Sequence, residues 1–559
     1  MKKHLTIIGL GLTFASPTSA QNVNPPSVPN IEALEALSAS GAKLSHVYVK
    51  DFGNGHGGGG TFTYSASECN NAGAGDGGTQ FPAKAGCWHR QITNNEIDPT
   101  MFGAAGNGRS DDTPFLVKFF AALNAGTYSG DGESKTYVLD YSNTPYNFTR
   151  PYLTLRNITL QAKPGTSSKA WWIGLTADHT TLENVILDGN MANMTASTQG
   201  AAYCLLVDNT ANYQSWSHVT VKNCNSQDAI LFGASGAAPH HGSAGHKIDS
   251  LTITGNSASG MEFQNTSSSS FVNVHINANG YGYQVRAPFP IDRSTPRGTD
   301  VGFGVAIRFN SHDLQFVNSQ FNDNGRDGFN VNQGSHNILV TNSEANFNGD
   351  GGFTFAADST AAYPGNGQSP SNVRLSNDAA RGNYTGGVTA YSAISGLSVI
   401  GGKYWDNSRV EGDLAPTSSY FNNIYIPAGS RDVYVKTSAY DDRQSASVTS
   451  SGSCTFTVNR WAPGTYRYYP KVGFYTTNGR FVGYGQIFAE SSSRLTVTTL
   501  PFNSAKCSDI SAGWMVTQRV THNGALLDRG STGQLDVVGS GFLPGPNPAI
   551  QGHVELTVK

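Results

Sequence analysis

From about Pro151 to Asp432 one pattern recurs along the chain: a small residue, then apolar positions alternating with others. It reads Ala229-Ile-Leu-Phe-Gly, Gly260-Met-Glu-Phe-Gln, Gly282-Tyr-Gln-Val-Arg, Gly304-Val-Ala-Ile-Arg, Gly328-Phe-Asn-Val-Asn, Gly352-Phe-Thr-Phe-Ala, Gly387-Val-Thr-Ala-Tyr and Asn423-Ile-Tyr-Ile-Pro. Successive starts are separated by 22 (282 minus 260), 22 (304 minus 282), 24 (328 minus 304) and 24 (352 minus 328) residues, a period expected of a β-solenoid. Side chains alternate across a strand, so Ile230 and Phe232, Met261 and Phe263, Tyr283 and Val285, Phe329 and Val331, and Phe353 and Phe355 are predicted to point inward. They would stack into one core. Each coil also carries a second strand and an Asn/Gly turn, as in the stretch from Leu314 to Gly325, where Asn and Gly supply left-handed backbone.

The pattern differs on either side of the repeats. Phe115, Leu116, Phe119, Phe120 and Leu123 fall on one helical stripe, and Asp112 stands at its N-cap position. Beyond about Val435 the period gives way to longer alternating strands, such as Arg467–Tyr475 and Gln534–Val538, which predict a C-terminal β-sandwich.

Composition sharpens this picture. With 65 Gly and only 13% charged residues the chain is turn-rich and all-β. A net charge of −3 argues against nucleic acid or an anionic membrane as partner. Residues 1–20 read as a signal peptide: a basic start, an apolar run from Leu5 to about Ala15, and a small-residue cleavage site at Thr18-Ser19-Ala20. A secreted or periplasmic protein is expected. Six cysteines form three sequence-local pairs, Cys69/Cys87, Cys204/Cys224 and Cys454/Cys507, read as disulfides, although six cysteines allow 15 pairings.

Two segments resemble known families. The Gly-rich stretch 21–99, with Gly57–Tyr64, Asp76-Gly-Gly-Thr79 and Cys87-Trp-His-Arg90, looks like the head module preceding the β-helix in phage tailspikes and related depolymerases. Phe102-Gly-Ala-Ala-Gly-Asn-Gly-Arg-Ser-Asp-Asp-Thr113 closely resembles the opening motif of the pectate-lyase-like β-helix superfamily, with Asn107 where that family usually has Asp. The resemblance implies a right-handed parallel β-helix over 100–434, with a helix covering its N-terminal end. It also implies a polysaccharide as the substrate, acted on by a lyase, hydrolase, epimerase or tailspike depolymerase. The repeat Asp323–Phe329 is similar to epimerase repeats, but the Asp-Pro-His motif of those enzymes is missing. A homotrimer is a candidate assembly.

The outward positions supply candidate chemistry. The third positions run Leu231, Glu262, Gln284, Ala306, Asn330, Thr354, Thr389, Tyr425, and the fifth run Gly233, Gln264, Arg286, Arg308, Asn332, Ala356, Tyr391, Pro427. Polar residues gather in the middle coils, as a groove for an extended sugar chain requires. Gln264, Gln284, Asn330, Asn332 and Tyr391 are the candidate substrate contacts. Arg286 and Arg308 would be adjacent rungs, and two guanidinium groups about 4.8 Å apart want an anion between them, such as a uronate carboxylate. The alternative is an ion pair between Arg286 and Glu262. Glu262 and Asp228, with Cα atoms roughly 11 Å apart, would suit an inverting hydrolase. Asp327, like Asp350, precedes a glycine, where turn formation competes with a catalytic role.

Two departures from the period, Gly236–Lys247 with His240, His241 and His246, and Ala287–Asp300, read as loops walling a groove. No motif requires a cofactor, and calcium alone is retained as a candidate. The leading expectation is therefore an endo-acting lyase cleaving a uronate-containing polysaccharide by β-elimination. An inverting endo-hydrolase and a non-catalytic carbohydrate-binding solenoid are the alternatives.

Overall fold

The structure is a computed structural model. It describes residues 25–37, 45–53, 55–142, 145–166, 171–193, 203–233, 242–280, 302–358, 367–383, 385–405, 407 and 423–442, and beyond these the backbone of the strands between Ser445–Gly452 and Ala549–Val558. The expected signal peptide, Cys454 and Cys507, His240 and His241, and Gln284 and Arg286 lie outside the described residues. Among those described, no helix is long and apolar enough to cross a membrane.

The chain divides into two compact units after Gln91. In the first, Ser27–Val28 pairs in parallel with His46–Val49, and the sheet continues antiparallel through Gly60–Ser65, Cys87–Arg90 and Gln80–Pro82. Ile31, Leu34, Val47, Phe62, Phe81 and Trp88 fill its core, and the Cys69–Cys87 disulfide pins one edge. The glycine run of this head faces Arg90, whose guanidinium donates to the carbonyls of Gly58 and Gly78 and lies over the Phe62 ring.

The second unit is the solenoid. Its strands Asp228–Phe232, Ser259–Gln264, Val305–Arg308, Phe329–Asn332, Phe353–Ala356, Val388–Ala390 and Ile424–Ile426 pair in parallel, each in register with the next. Ile230, Met261, Val305, Phe329, Phe353 and Val388 form one inward file, as the alternation predicts. The second side of each coil bends at a left-handed residue, His218, Asn273, Asn318, Asn342 or Asn377, which lets one strand serve two faces. Between them aromatic rings stack along the axis, with Phe232 on Phe263 at 5.0 Å and Phe271 on Phe316 at 4.8 Å.

One repeat is corrected. Ser259–Gln264 pairs directly with Val305–Arg308, Met261 opposite Val305 and Gln264 opposite Arg308. The coil expected to begin at Gly282 is therefore not the neighbour of either strand in this ladder, and Gly282–Arg286 itself lies outside the described residues.

Where the two strands of a coil meet, a file of buried asparagines runs along the solenoid. Asn256 donates through Nδ2 to Asn279 (2.7 Å), Asn279 to Asn324 (3.0 Å), Asn324 to Asn348 (3.2 Å), Asn348 to Asn383 (2.9 Å), Asn383 to Asn407 (2.8 Å) and Asn407 to Asn423 (2.9 Å). Each Oδ1 also accepts the backbone N–H of the preceding asparagine, and several Nδ2 groups reach a main-chain carbonyl of the coil before. The side-chain amide thus satisfies backbone groups that the corner buries away from water.

The helix Thr113–Ala125 covers the N-terminal end, with Leu116, Phe119, Phe120 and Leu123 buried against Phe102 and Phe148. Asp112 occupies the N-cap position without capping: its carboxylate accepts from Ala105 N (2.6 Å) and Val138 N (3.3 Å), tying the Gly-rich loop to the first long strand. The neighbouring Asp111 takes the N–H of Thr113 and pairs with Lys163. The disulfide Cys204–Cys224 joins the start of one coil to the corner leading into the next.

At the C-terminal end, six strands from Ser445–Gly452 to Ala512–Val516 close on one another in a single antiparallel ring. This is a small barrel where two stacked sheets were expected, because alternation fixes which face is apolar but not whether a sheet closes. Ala525–Asp528 and Ala549–Val558 then return to extend the solenoid ladders.

Emptying the core or the asparagine file should both be costly. Phe329→Ala is expected to lose about 3–5 kcal/mol, the usual cost of removing a packed ring. Asn324→Ala should lose about 2–5 kcal/mol, since it orphans several buried partners. Urea unfolding checks both; an unchanged midpoint in either variant would contradict the packing described.

Candidate functional site

The candidate positions lie on the outward face of the ladder that begins at Asp228–Phe232. In register, Leu231, Glu262, Ala306, Asn330, Thr354, Thr389 and Tyr425 form one row. This row is buried, not solvent-exposed as expected of a bare surface. Buried polar groups need partners, and most of those on this face find them in two clusters, the Thr389 hydroxyl excepted.

The first cluster holds Glu262, Gln264 and Arg308. Arg308 Nη1 lies 3.4 Å from Glu262 Oε2, and Gln264 Nε2 donates to Glu262 Oε1 at 2.7 Å. The Phe303 ring sits between two guanidinium groups, Arg308 at 5.1 Å and Arg326 at 4.4 Å from its centroid. Arg308 therefore neighbours Gln264 and pairs with Glu262. The expected ladder of Arg286 directly beside Arg308 is overturned by the register, because the strand preceding Arg308 is Ser259–Gln264. Asp228, also buried, stands in register with Ser259, three residues before Glu262.

The second cluster gathers four candidates, Asp327, Asn330, Asn332 and Tyr391, with partners the repeat template did not single out. Asp327 accepts from Gly351 N at 2.9 Å and from Asn330 Nδ2 at 3.3 Å. Asn330 donates to Thr354 Oγ1 at 2.8 Å, and Asn332 Nδ2 donates to Asn330 Oδ1 and Asp358 Oδ2, both at 2.9 Å. Tyr391 donates its hydroxyl to Asp350 Oδ1 at 3.1 Å and lies 3.3 Å from Thr385 Oγ1. Gly351 makes room for this meeting: a Cβ there would stand 2.2 Å from Thr354 Cγ2 and 3.2 Å from Asp327 Oδ1.

Electrostatics set Asp327 apart. Burial, and then the negative charge of Asp350, push its carboxyl up to about 7, against the opposing pull of the Arg326 guanidinium. Burial raises the Tyr391 hydroxyl well above its ordinary value, and the charges of Asp350 and Asp327 add to the effect, so it stays a proton-bearing donor. Asp327 and Asp350 both precede a glycine, but Asp327 stands one residue before its repeat start and Asp350 two, so the sequence does not align them; the register sets Asp350 level with Arg326.

His246 has a structural place. It is buried, contacts Ser243 through Nε2 and accepts Gln214 N at Nδ1, and burial lowers it to about 3. Among the described residues no group of three or more His, Cys, Asp or Glu is arranged to hold a metal ion.

Comparison with known proteins places the fold. Residues 178–404 match the family model of the right-handed β-helix region, and residues 27–93 match that of a phage tail protein small four-stranded β-sheet domain. The chain carries a right-handed parallel β-helix, the fold that its cap motif implies. A search of curated proteins finds no significant match. Among solved structures, the Dettilon tailspike protein is similar at 13% identity and a TM-score of 0.45, over 76% of this chain and 93% of that one. The enzymatically active domain of bacteriophage CBA120 tailspike protein 2 is similar at 11% identity and 0.44, over 96% and 91%. The A-module of an Azotobacter vinelandii mannuronan C-5 epimerase is similar at 13% identity and 0.39, over 59% and 91%.

The raised Asp327 makes a prediction about stability. The folded state binds this proton more tightly than the unfolded chain, whose carboxyl titrates near 3.8, so the contribution is present below that pH and is lost as pH rises through about 7. Asp327→Asn should therefore gain on the wild type as pH goes from 5 to 8. Melting curves across that range check it; a constant difference between the two proteins would contradict a buried carboxyl that is protonated at neutral pH.

Proposed function

We propose that the protein acts outside the cytoplasm on a long polysaccharide and cleaves it by hydrolysis, with Asp327 as proton donor and Asp350 as the partner carboxylate. The observation that carries this reading is the buried Asp327 carboxyl beside Asp350: burial first, and then the charge of Asp350, favour its protonated form near neutral pH. Glycoside hydrolysis needs that division of labour, one carboxyl to protonate the leaving oxygen and one carboxylate to activate water or attack the anomeric carbon. Asn330 and Thr354 lie in the outward row and, with Asn332 on the same face, form the buried hydrogen-bond network that holds Asp327.

The solenoid supports a polymeric substrate because it repeats its polar positions about 4.8 Å apart, coil after coil, along one axis. Export is supported by the two described disulfides and by the signal-like N-terminus. The β-elimination reading loses its geometric basis, since it asked Arg308 to share an anion with Arg286 as a neighbouring rung, whereas Arg308 sits beside Gln264 and pairs with Glu262.

Incubation with anionic and neutral polysaccharides distinguishes the readings. New reducing ends without an unsaturated chromophore are expected, and Asp327→Asn and Asp350→Asn should each lower turnover by roughly a hundredfold or more. Activity should fall as pH rises above about 7, where Asp327 loses its proton. An unsaturated, ultraviolet-absorbing product would establish elimination instead. Full activity in both aspartate variants would remove the pair from the chemistry.

A further inference from the structure

At the corner following each strand of the outward ladder, successive coils place a left-handed residue at the same position. Along the axis these are Tyr152, His179, Tyr213, Gly245, Ser268, Asp313, Asn337, Asn372 and Gly396, all with φ between 51° and 76°. The later members are what such backbone favours: glycine, asparagine, aspartate and serine. Of the first three, His179 is tolerated there, but Tyr152 and Tyr213 are not. Bulky side chains in this conformation are outliers, and strain of that kind points to something the position does.

These three rings form a pile on the surface. Tyr152 lies 4.5 Å from His179 at an interplanar angle of 22°, and His179 lies 4.9 Å from Tyr213 at 27°. Tyr152 is 70% exposed and Tyr213 is 54% exposed. The pile is closed at one end: a Cβ on Gly245 would stand 2.4 Å from Tyr213 Cδ1, so that ring rests against the chain of the next coil. At the other end His179 covers one face of Tyr152, and an exposure of 70% leaves the opposite face and the hydroxyl edge to solvent.

We propose that this pile is a second carbohydrate site, in which the open face of Tyr152 takes the apolar face of a sugar ring. The other rings hold Tyr152 rigid, so little side-chain entropy is lost on binding, and the phenol hydroxyl is placed for the sugar's hydroxyls. The polysaccharide class rests on the reading given under Proposed function. Charge is not needed, so neutral and acidic pyranoses both fit. From Tyr152 the corner position of the coil that carries Asp327, Asn337, is six coils on, roughly 29 Å along the axis at about 4.8 Å per coil. A long chain reaches both places; a short oligosaccharide does not. The site therefore retains the polymer between cuts without entering the chemistry.

The test uses the full-length protein with alginate and dextran as anionic and neutral probes, together with the polymer it cleaves and short oligosaccharides of that polymer. Tyr152→Asn removes the ring and replaces it with a residue suited to left-handed backbone. It should keep or raise the melting temperature, weaken retention on long polymer by roughly tenfold, the scale of one lost stacking contact, and leave turnover of short oligosaccharides unchanged. Tyr152→Phe should bind close to the wild type. Wild-type retention by Tyr152→Asn overturns the site while leaving the aspartate reading intact. Loss of stability in place of loss of binding would make the pile a packing device and overturn it equally. If the wild type is retained on no polysaccharide, this inference and the polysaccharide reading fall together, whereas retention without cleavage removes only the aspartate reading.

Discussion

The amide of a buried asparagine, repeated once per coil, is the interaction on which this solenoid depends. A parallel coil must turn within a few residues at each corner, and the turn strands backbone groups where water cannot reach them. Asn324 answers with one side chain: Oδ1 takes the N–H and Nδ2 of Asn279, while Nδ2 serves Asn348 and the carbonyl of Ile276. Each asparagine fixes the next, so the coils share one register and the aromatic files inside can stack. The file stays in step across the insertion that follows Gly280, where Asn279 still meets Asn324 although 45 residues separate them. Insertions are tolerated because the corner, not the loop, sets the spacing.

The same logic governs the outward row. Burying polar groups beside a hydrophobic wall costs free energy unless each finds a partner, and the partners have to come from the adjacent coils. Glu262 with Arg308 and Gln264 is a closed solution, in which charge is matched by charge. Asp327 with Asp350 is an open one: two carboxyl groups with too little positive charge between them, so that one holds a proton. Such a pair costs stability at neutral pH, and strongly shifted carboxyls of this kind cluster at functional sites. Asp378 shows the structural counterpart. It too is pushed up to about 7, by burial, but both oxygens accept backbone N–H groups, from Ser343 and Ser376.

The fold was legible because its signal is local and repeated. Small residue, apolar, other, apolar recurs from coil to coil, and alternation alone places Ile230, Phe232, Met261, Phe263, Phe329, Val331, Phe353 and Phe355 inward, where they are found. Gly282 shows the limit: its five residues match the template, yet the pairing of Met261 with Val305 leaves no rung for them between these two strands. That single misplaced rung put Arg286 beside Arg308 and made an anion clamp of two arginines. Exposure failed for a related reason. Alternation says which way a side chain points, but not whether something lies over it, and Asn330, Thr354 and Thr389 point outward yet are buried. The Asp327 group was partly legible: the Asp-Gly steps were visible, but the coupling of Asp327 with Asp350 depends on a register that spacing alone does not give.

The corner positions carry the argument one step further. At Asp313, Asn337 and Asn372 the left-handed backbone is occupied by residues that suit it, and their side chains join across coils, Asn337 donating to Asp313 at 2.9 Å and Asn372 to Asn337 at 3.2 Å. At Tyr152 and Tyr213 the same backbone is held by bulky rings that disfavour it, with His179 between them, and ring stacking replaces the amide bonds. The solenoid therefore does not need aromatics at this corner to keep its spacing, since a polar ladder does so a few coils away. What the rings add is exposed apolar surface at one end of the axis. That surface is the difference between the two solutions, and a surface kept at the expense of backbone strain is where a ligand should be sought.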